Sequence, residues 1–337
     1  MTSVPDSPPY YCHMRRILAL TTMLLLLVPA LASAHGGDVE PEALADHWID
    51  AWTFSLLQLT PFLIVGVLYG IRAYQLGPRL PSWRIASFYA GLGLAVFSIV
   101  SPIDRIAEEG LFAVHMLQHA LLAGFAPLLT VLGITGPVLQ PLLKIRIVQR
   151  LRVLAHPMIA LPLWVAVFVF WHLPPVYDFG VENDIAHAFE HATFFGTTAL
   201  VWGAILEPLP APRWFGTGAK IGYLLIFWFI GLLAVNIFWF SGTVFYVRYE
   251  ETAPAWGVSA LQDQANAGTV FMAEHMLLTL TTLVLLAIRA AKESTIRQRL
   301  LEAGVDENTI AQAVRYGRAE ELAERSGVSV VSRGGID

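Results

Sequence analysis

Seven long apolar blocks dominate this chain, and a water-soluble fold of this size has no interior that would hide them all. A helix of about 20 apolar residues crosses about 30 Å of hydrocarbon. In hydrocarbon only helices and closed barrels satisfy every backbone N–H and C=O, and runs this long read as helices. The blocks run from roughly Ala51 to Tyr74, Arg84 to Val100, Leu111 to Gly133, Pro157 to Trp171, Ile185 to Leu206, Gly218 to Phe240 and Asn266 to Ala290. Of the 337 residues, 56% are apolar and only 14% charged, with mean hydropathy +0.59. The expected fold is therefore all-α, a polytopic transmembrane bundle. A net charge of −5 with no basic patch excludes nucleic acid as a partner.

The amino terminus has the form of a cleavable signal peptide. Arg15 and Arg16 precede an apolar run from Ile17 to about Leu31, too short for a full span, and Ala32-Ser33-Ala34 is an A-x-A cleavage pattern. The organisation expected is a signal peptide over 1–34, an outer segment over 35–50, a seven-span domain over 51–290 and a polar tail over 291–337. The one cysteine, Cys12, lies in the presequence, so the mature chain offers neither disulfides nor thiolate ligands. Three alternate connections hold nine basic residues: Arg72, Arg79, Arg84, Lys144, Arg146, Arg150, Arg152, Arg213 and Lys220. The intervening loops hold only Arg105 and Arg248, and this asymmetry puts them outside a bacterial inner membrane, with the tail from Lys292 in the cytoplasm.

That orientation gathers the histidines. His115 and His119 in HMLQH, and His187 and His191 in HAFEH, are spaced so that each pair shares one helix face near the outer end of its span. His172, in WHLPP, caps the outer end of the fourth span. His275 lies nine residues into the seventh, about 14 Å deep at a rise of about 1.5 Å per residue, level with His119. His156 sits at the other end of the fourth span and is expected to be a helix-entry residue. One interfacial histidine can simply bond to a carbonyl or a headgroup. Two i, i+4 pairs plus His172 point instead to a transition metal, because ionisable groups at membrane depth are costly unless they line a polar site. Glu190, Asp178 and Glu274 are candidate partners that fix imidazole tautomers, and Met116, Met272 and Met276 are soft thioethers nearby. Imidazole suits copper, zinc, iron and nickel, and added thioethers favour Cu(I). Cleavage after Ala34 exposes His35, whose free amine and imidazole can chelate Cu(II), with His47 as a third nitrogen.

Other chemistries share these residues. HAFEH is formally an H-x-x-E-H zinc protease signature with Glu190 as general base, and bis-histidine haem between the third and fifth spans would make the protein an electron carrier. The loop from Gly242 to Gln264, with Tyr246, Tyr249 and Trp256, is expected at the outer interface, where it can cover the histidines or dock a partner. The apolar spacing of Leu300, Leu301, Val305, Ile310, Val314 and Leu322 predicts two short amphipathic helices within 294–326 whose partner the sequence does not reveal.

HMLQHALL with the Pro- and Gly-containing turn after it, HPMIALPLWVAVFVFWHLPPVYD and NDIAHAFEHATFFGTTALVWGAILEP together resemble the caa3-type cytochrome c oxidase assembly factor family, the seven-span CtaG proteins of the Bacillus type. The resemblance covers roughly residues 50 to 290. It implies a non-enzymatic seven-span protein that serves a haem-copper oxidase by handling copper, with oxidase subunits and membrane lipid as partners. The histidines of HMLQH, WHLP and HAFEH match the family pattern, as do Asp263-Gln264 and Gly268. The stretch that follows, Met272-Ala273-Glu274-His275-Met276, departs from it, so the metal role expected for His275 comes from its depth alone.

Overall fold

The structure is a computed structural model that describes residues 40–54 and 56–328, all of it helix, turn or coil without a strand among those residues. The expected signal peptide lies outside the described residues, as does His35. The main helices are α1 (Leu56–Leu76), α2 (Ser82–Val100), α3 (Pro102–Glu109), α4 (Phe112–Gly133), α5 (Pro157–Trp171), α6 (Pro174–Glu182), α7 (Asp184–Leu206), α8 (Thr217–Phe240), α9 (Ala260–Glu302), α10 (Glu307–Arg315) and α11 (Ala319–Arg325). Their starts follow from local chemistry. Asn183 Oδ1 accepts from Ile185 N and Ala186 N at the head of α7, Ser259 caps α9, and His156 Nδ1 accepts from Met158 N where Pro157 begins α5. His156 is thus the helix-entry residue its position predicts.

Five of these helices are long and apolar enough to cross a membrane. A sixth is reached if α5 counts together with Arg146–Ala155, from which it is bent by 82°. The fifth expected span, α7, has the length but carries Asp184, His187, Glu190 and His191 in its first two turns, which dilute its apolar character. The larger correction concerns the carboxyl-terminal part. α9 does not stop near Ala290 but runs 43 residues to Glu302. Leu300 therefore belongs to α9, and its end packs with α10 and α11 around Ile296, Leu300, Ile310, Ala319 and Ala323, all buried. The tail helices have a partner after all, the extension of the last long helix, because neither could bury its apolar stripe alone.

Pairwise contacts hold the bundle together. α2 meets α4 through Ser87 Oγ, which donates to Leu129 O at 2.8 Å, and through Arg84, which donates to Leu132 O at 2.8 Å. α5 is pinned to α7 by two indoles: Trp164 Nε1 donates to Thr198 Oγ1 (3.1 Å) and Trp171 Nε1 to Thr193 Oγ1 (2.9 Å). Such bonds between membrane helices average about 0.6 kcal/mol each, so they set register more than stability. Around them Phe112, Phe168, Phe194, Trp202 and Phe227 form the aromatic core beneath the histidines.

Candidate metal centre

The two i, i+4 pairs converge. Ring centroids lie 4.4 Å apart within His115 and His119 on α4, and 4.2 Å apart within His187 and His191 on α7. Across the helices His115 is 6.3 Å from His187 and His119 is 5.8 Å from His191, while His172 at the end of α5 is 6.5 Å from His119. Two imidazoles that share an ion through metal–nitrogen bonds of about 2.0–2.1 Å have centroids separated by roughly this much. The four paired histidines are buried. Among the described residues, neither ring nitrogen of His115 or of His191 has a hydrogen-bond partner, nor has His187 Nε2.

The remaining nitrogens are oriented. His172 Nδ1 is 2.8 Å from Phe168 O, a contact that requires the proton on Nδ1 and leaves the Nε2 lone pair free. His187 Nδ1 lies 2.5 Å from Glu108 Oε1, which leaves Nε2 as its donor atom in the same way. Glu190 also joins the group. Its Oε1 is 3.6 Å from His119 Nε2, and ligand atoms of His115, His119 and Glu190 all lie within 4.8 Å of one another. The sequence suggested Glu190 as a partner behind the imidazoles; its carboxylate instead lies beside His115 and His119.

Glu108 and Asp104 were not foreseen. Both are buried on α3, the short helix between α2 and α4. Asp104 accepts from Thr53 Oγ1 (2.8 Å) and from Gln118 Nε2 (2.7 Å), and burial beside Glu108 pushes its carboxyl up to about 6. A signal existed in the sequence. Asp104 and Glu108 have the same i, i+4 spacing as the histidine pairs, so three helices each present two metal-competent or proton-competent groups from one face.

Three devices position these groups. Asp263 on α9 accepts from Phe112 N (2.7 Å) and Ala113 N (3.0 Å), satisfying the first N–H groups of α4 from a distance and fixing the helix that carries His115 and His119. Its neighbour Gln264 accepts from Phe245 N and donates to Thr243 O, tying down the loop after α8. Directly after His119, α4 widens into a π-helical turn over Ala120–Phe125, a distortion found often at functional sites. Replacing Asp263 with alanine is expected to lower stability by about 1 kcal/mol, within the range of about 0.5–2 for lost caps. Thermal unfolding in detergent checks this, and an unchanged midpoint contradicts the capping role.

The loop after α8 covers the histidine end of the bundle, one of the two roles its sequence allowed. Tyr246 and Tyr249 are buried; Tyr246 OH donates to His172 O (3.0 Å) and Tyr249 OH to Ala107 O (2.7 Å), while Tyr177 OH is 2.6 Å from Tyr249 OH. Tyr177 lies 5.0 Å, centroid to centroid, from His115. Burial pushes all three phenols up, so they remain protonated donors at neutral pH. Three polar anchors satisfy the hydroxyls of these buried rings.

Not every expected residue arrives at the cluster. His275 is buried among Trp164, Phe227 and Phe271, its Nε2 3.2 Å from Phe227 O. It makes no ring contact with the other histidines but lines, with Met116, His119, His172 and Glu274, a cavity of about 40 Å³ beside them. The Glu274 carboxyl reaches this cavity by packing against Gly124 in the π turn, where a Cβ would collide with it. Met276 is exposed on α9 and does not line this cavity. Asp178 is partly exposed on α6 with no ring of the cluster in contact, and His47 is exposed on the short helix Pro41–His47.

Membrane-length helices that converge buried imidazoles and carboxylates at one end define a multi-pass membrane protein with a polar interior site. The chain belongs to the cytochrome c oxidase caa3 assembly factor family, whose model matches residues 65–293 and so includes every helix that carries the cluster. It is similar to uncharacterized proteins of Mycobacterium bovis and Mycobacterium tuberculosis, each 25% identical over 268 residues, and to one of Mycobacterium leprae, 23% identical over 269 residues. These alignments cover 73% of this chain and 40% of each relative, so the chain spans less than half the length of those proteins. No solved structure matches it.

Proposed function

We propose that this protein serves the assembly of a caa3-type cytochrome c oxidase by taking up copper at His115, His119, His172, His187 and His191, with Glu190 as a further ligand, and releasing it to an oxidase subunit. The carrying observation is that both buried ring nitrogens of His115 and of His191, and Nε2 of His187, find no hydrogen-bond partner among the described residues. Each unsatisfied buried group costs about 1–3 kcal/mol, and one bound cation relieves several together. Copper is cargo here, not a resident cofactor. A soft thioether from Met116 in the adjoining cavity favours Cu(I) among the metals that imidazole suits. The topology proposed with this role has seven spans, α7 included, and puts the cluster on the periplasmic side, since basic residues concentrate at the opposite helix ends.

The protein acts as a carrier, not a catalyst. In the H-x-x-E-H reading Glu190 would activate a water, but its carboxylate is buried against His119 under the tyrosine lid. A cavity of about 40 Å³ admits an ion with a water and is too small for a porphyrin. A strain lacking this gene is expected to lose most of its caa3-type oxidase activity and to regain part of it when the medium holds excess copper. Undiminished activity without the gene, or a deficit that copper does not touch, counts against the proposal.

A further inference from the structure

At the end of the bundle away from the histidines, α8, α9 and α10 enclose a cleft of about 680 Å³. Five cations line it: Arg213 before α8, Lys220 in its first turn, Arg289 and Arg297 on α9, and Arg315 on α10. Only three carboxylates answer them. Glu207 is shared by Lys220 Nζ (3.0 Å) and Arg315 Nη1 (3.0 Å), Glu293 pairs with Arg289 (2.8 Å), and Glu307 pairs with Arg297 (2.6 Å). Arg213 has no acidic partner among the described residues, so five cations face three anions and the cleft carries a net charge of +2.

The cleft is built, not incidental. Lys220 is 1% exposed, and a lysine is almost never buried so fully without a specific reason. Glu207, which holds it, closes α7 in the left-handed region at φ 53°, a conformation that disfavours residues with a Cβ and persists only when surrounding contacts impose it. Arg315 also donates to Ala211 O and Pro212 O, so the same cluster fastens the tail helices to the bundle. Trp214 and Tyr316 are exposed beside it, as aromatic side chains are at the level of lipid headgroups.

We propose that this cleft binds the phosphate of an anionic phospholipid headgroup, which neutralises the surplus charge and clamps α10 against the ends of α8 and α9. Basic pockets between span ends recognise such headgroups through guanidinium–phosphate hydrogen bonds. The inference is independent of the copper reading.

The test uses the full chain purified in detergent, with phosphatidylglycerol, phosphatidylcholine and inorganic phosphate as separate probes, read by native mass spectrometry and by thermal unfolding. Phosphatidylglycerol is expected to bind and raise the unfolding temperature, phosphatidylcholine to do neither. The double variant R213Q/R297Q alters exposed side chains only and is expected to weaken phosphatidylglycerol binding roughly 25-fold, about fivefold per arginine. Equal binding of the two lipids, or an unchanged affinity in the variant, overturns the proposal. Protection by millimolar inorganic phosphate that also displaces phosphatidylglycerol keeps the phosphate site but overturns its assignment to lipid.

Discussion

Purified protein carrying alanine at both His119 and His191 is expected to hold no copper, whereas the parent chain reconstituted with copper holds up to one ion. The two positions were chosen because they take one nitrogen donor from α4 and one from α7, with ring centroids 5.8 Å apart. Neither loss can then be made good by the other pair. Changes behind the ligands alone already cost about 10- to 100-fold in metal affinity, so removal of two ligands exceeds that range. Elemental analysis after dialysis gives the metal content, and circular dichroism with gel filtration shows whether the helices persist. Full copper occupancy in a folded double variant would falsify the cluster as the binding site.

Glu108→Gln is the second large expectation. Glu108 Oε1 lies 2.5 Å from His187 Nδ1, so the substitution keeps volume and removes charge from the group that orients this imidazole. A neutral amide accepts the Nδ1 proton less strongly, and it can also turn its NH2 toward the ring and favour the wrong tautomer. Copper affinity is expected to fall about 10- to 100-fold with the stoichiometry retained at saturating metal. Competition with a chelator of known affinity measures it. Parent-like affinity would mean that the Glu108 contact is purely structural, and loss of stoichiometry at saturation would make Glu108 part of the binding set itself.

How much of this could be read from the chain depends on the kind of interaction. His115, His119, His187 and His191 were legible because helical periodicity is local: four residues bring two side chains to one face whatever surrounds the helix. His172 was legible for a related reason, since the stop of an apolar block locates a helix end. Glu108 and Asp104 followed the same spacing, yet charged residues in a short polar stretch between spans look like a solvated loop until α3 folds back over the bundle and buries them. His275 shows what spacing leaves open. Helical rise gives a position along an axis and says nothing of rotation about it; the ring lines a cavity with His119 and His172 but lies against Phe227 O and not against another imidazole.

Local order therefore accounts for the all-helical membrane class, most helix boundaries and the convergence of paired imidazoles toward one end, since hydropathy, capping and periodicity act within a few residues. Contacts between residues far apart in the chain decided the rest. Asp263 caps a helix that begins 151 residues before it. Tyr246 and Tyr249 find carbonyl partners at His172 at the end of α5 and at Ala107 on α3, which fixes the loop over the cluster. The tail finds its partner in the extended end of α9. A hydrogen bond or a packed face exists only once two distant segments meet, and a residue's type and local spacing do not say which segment it will meet.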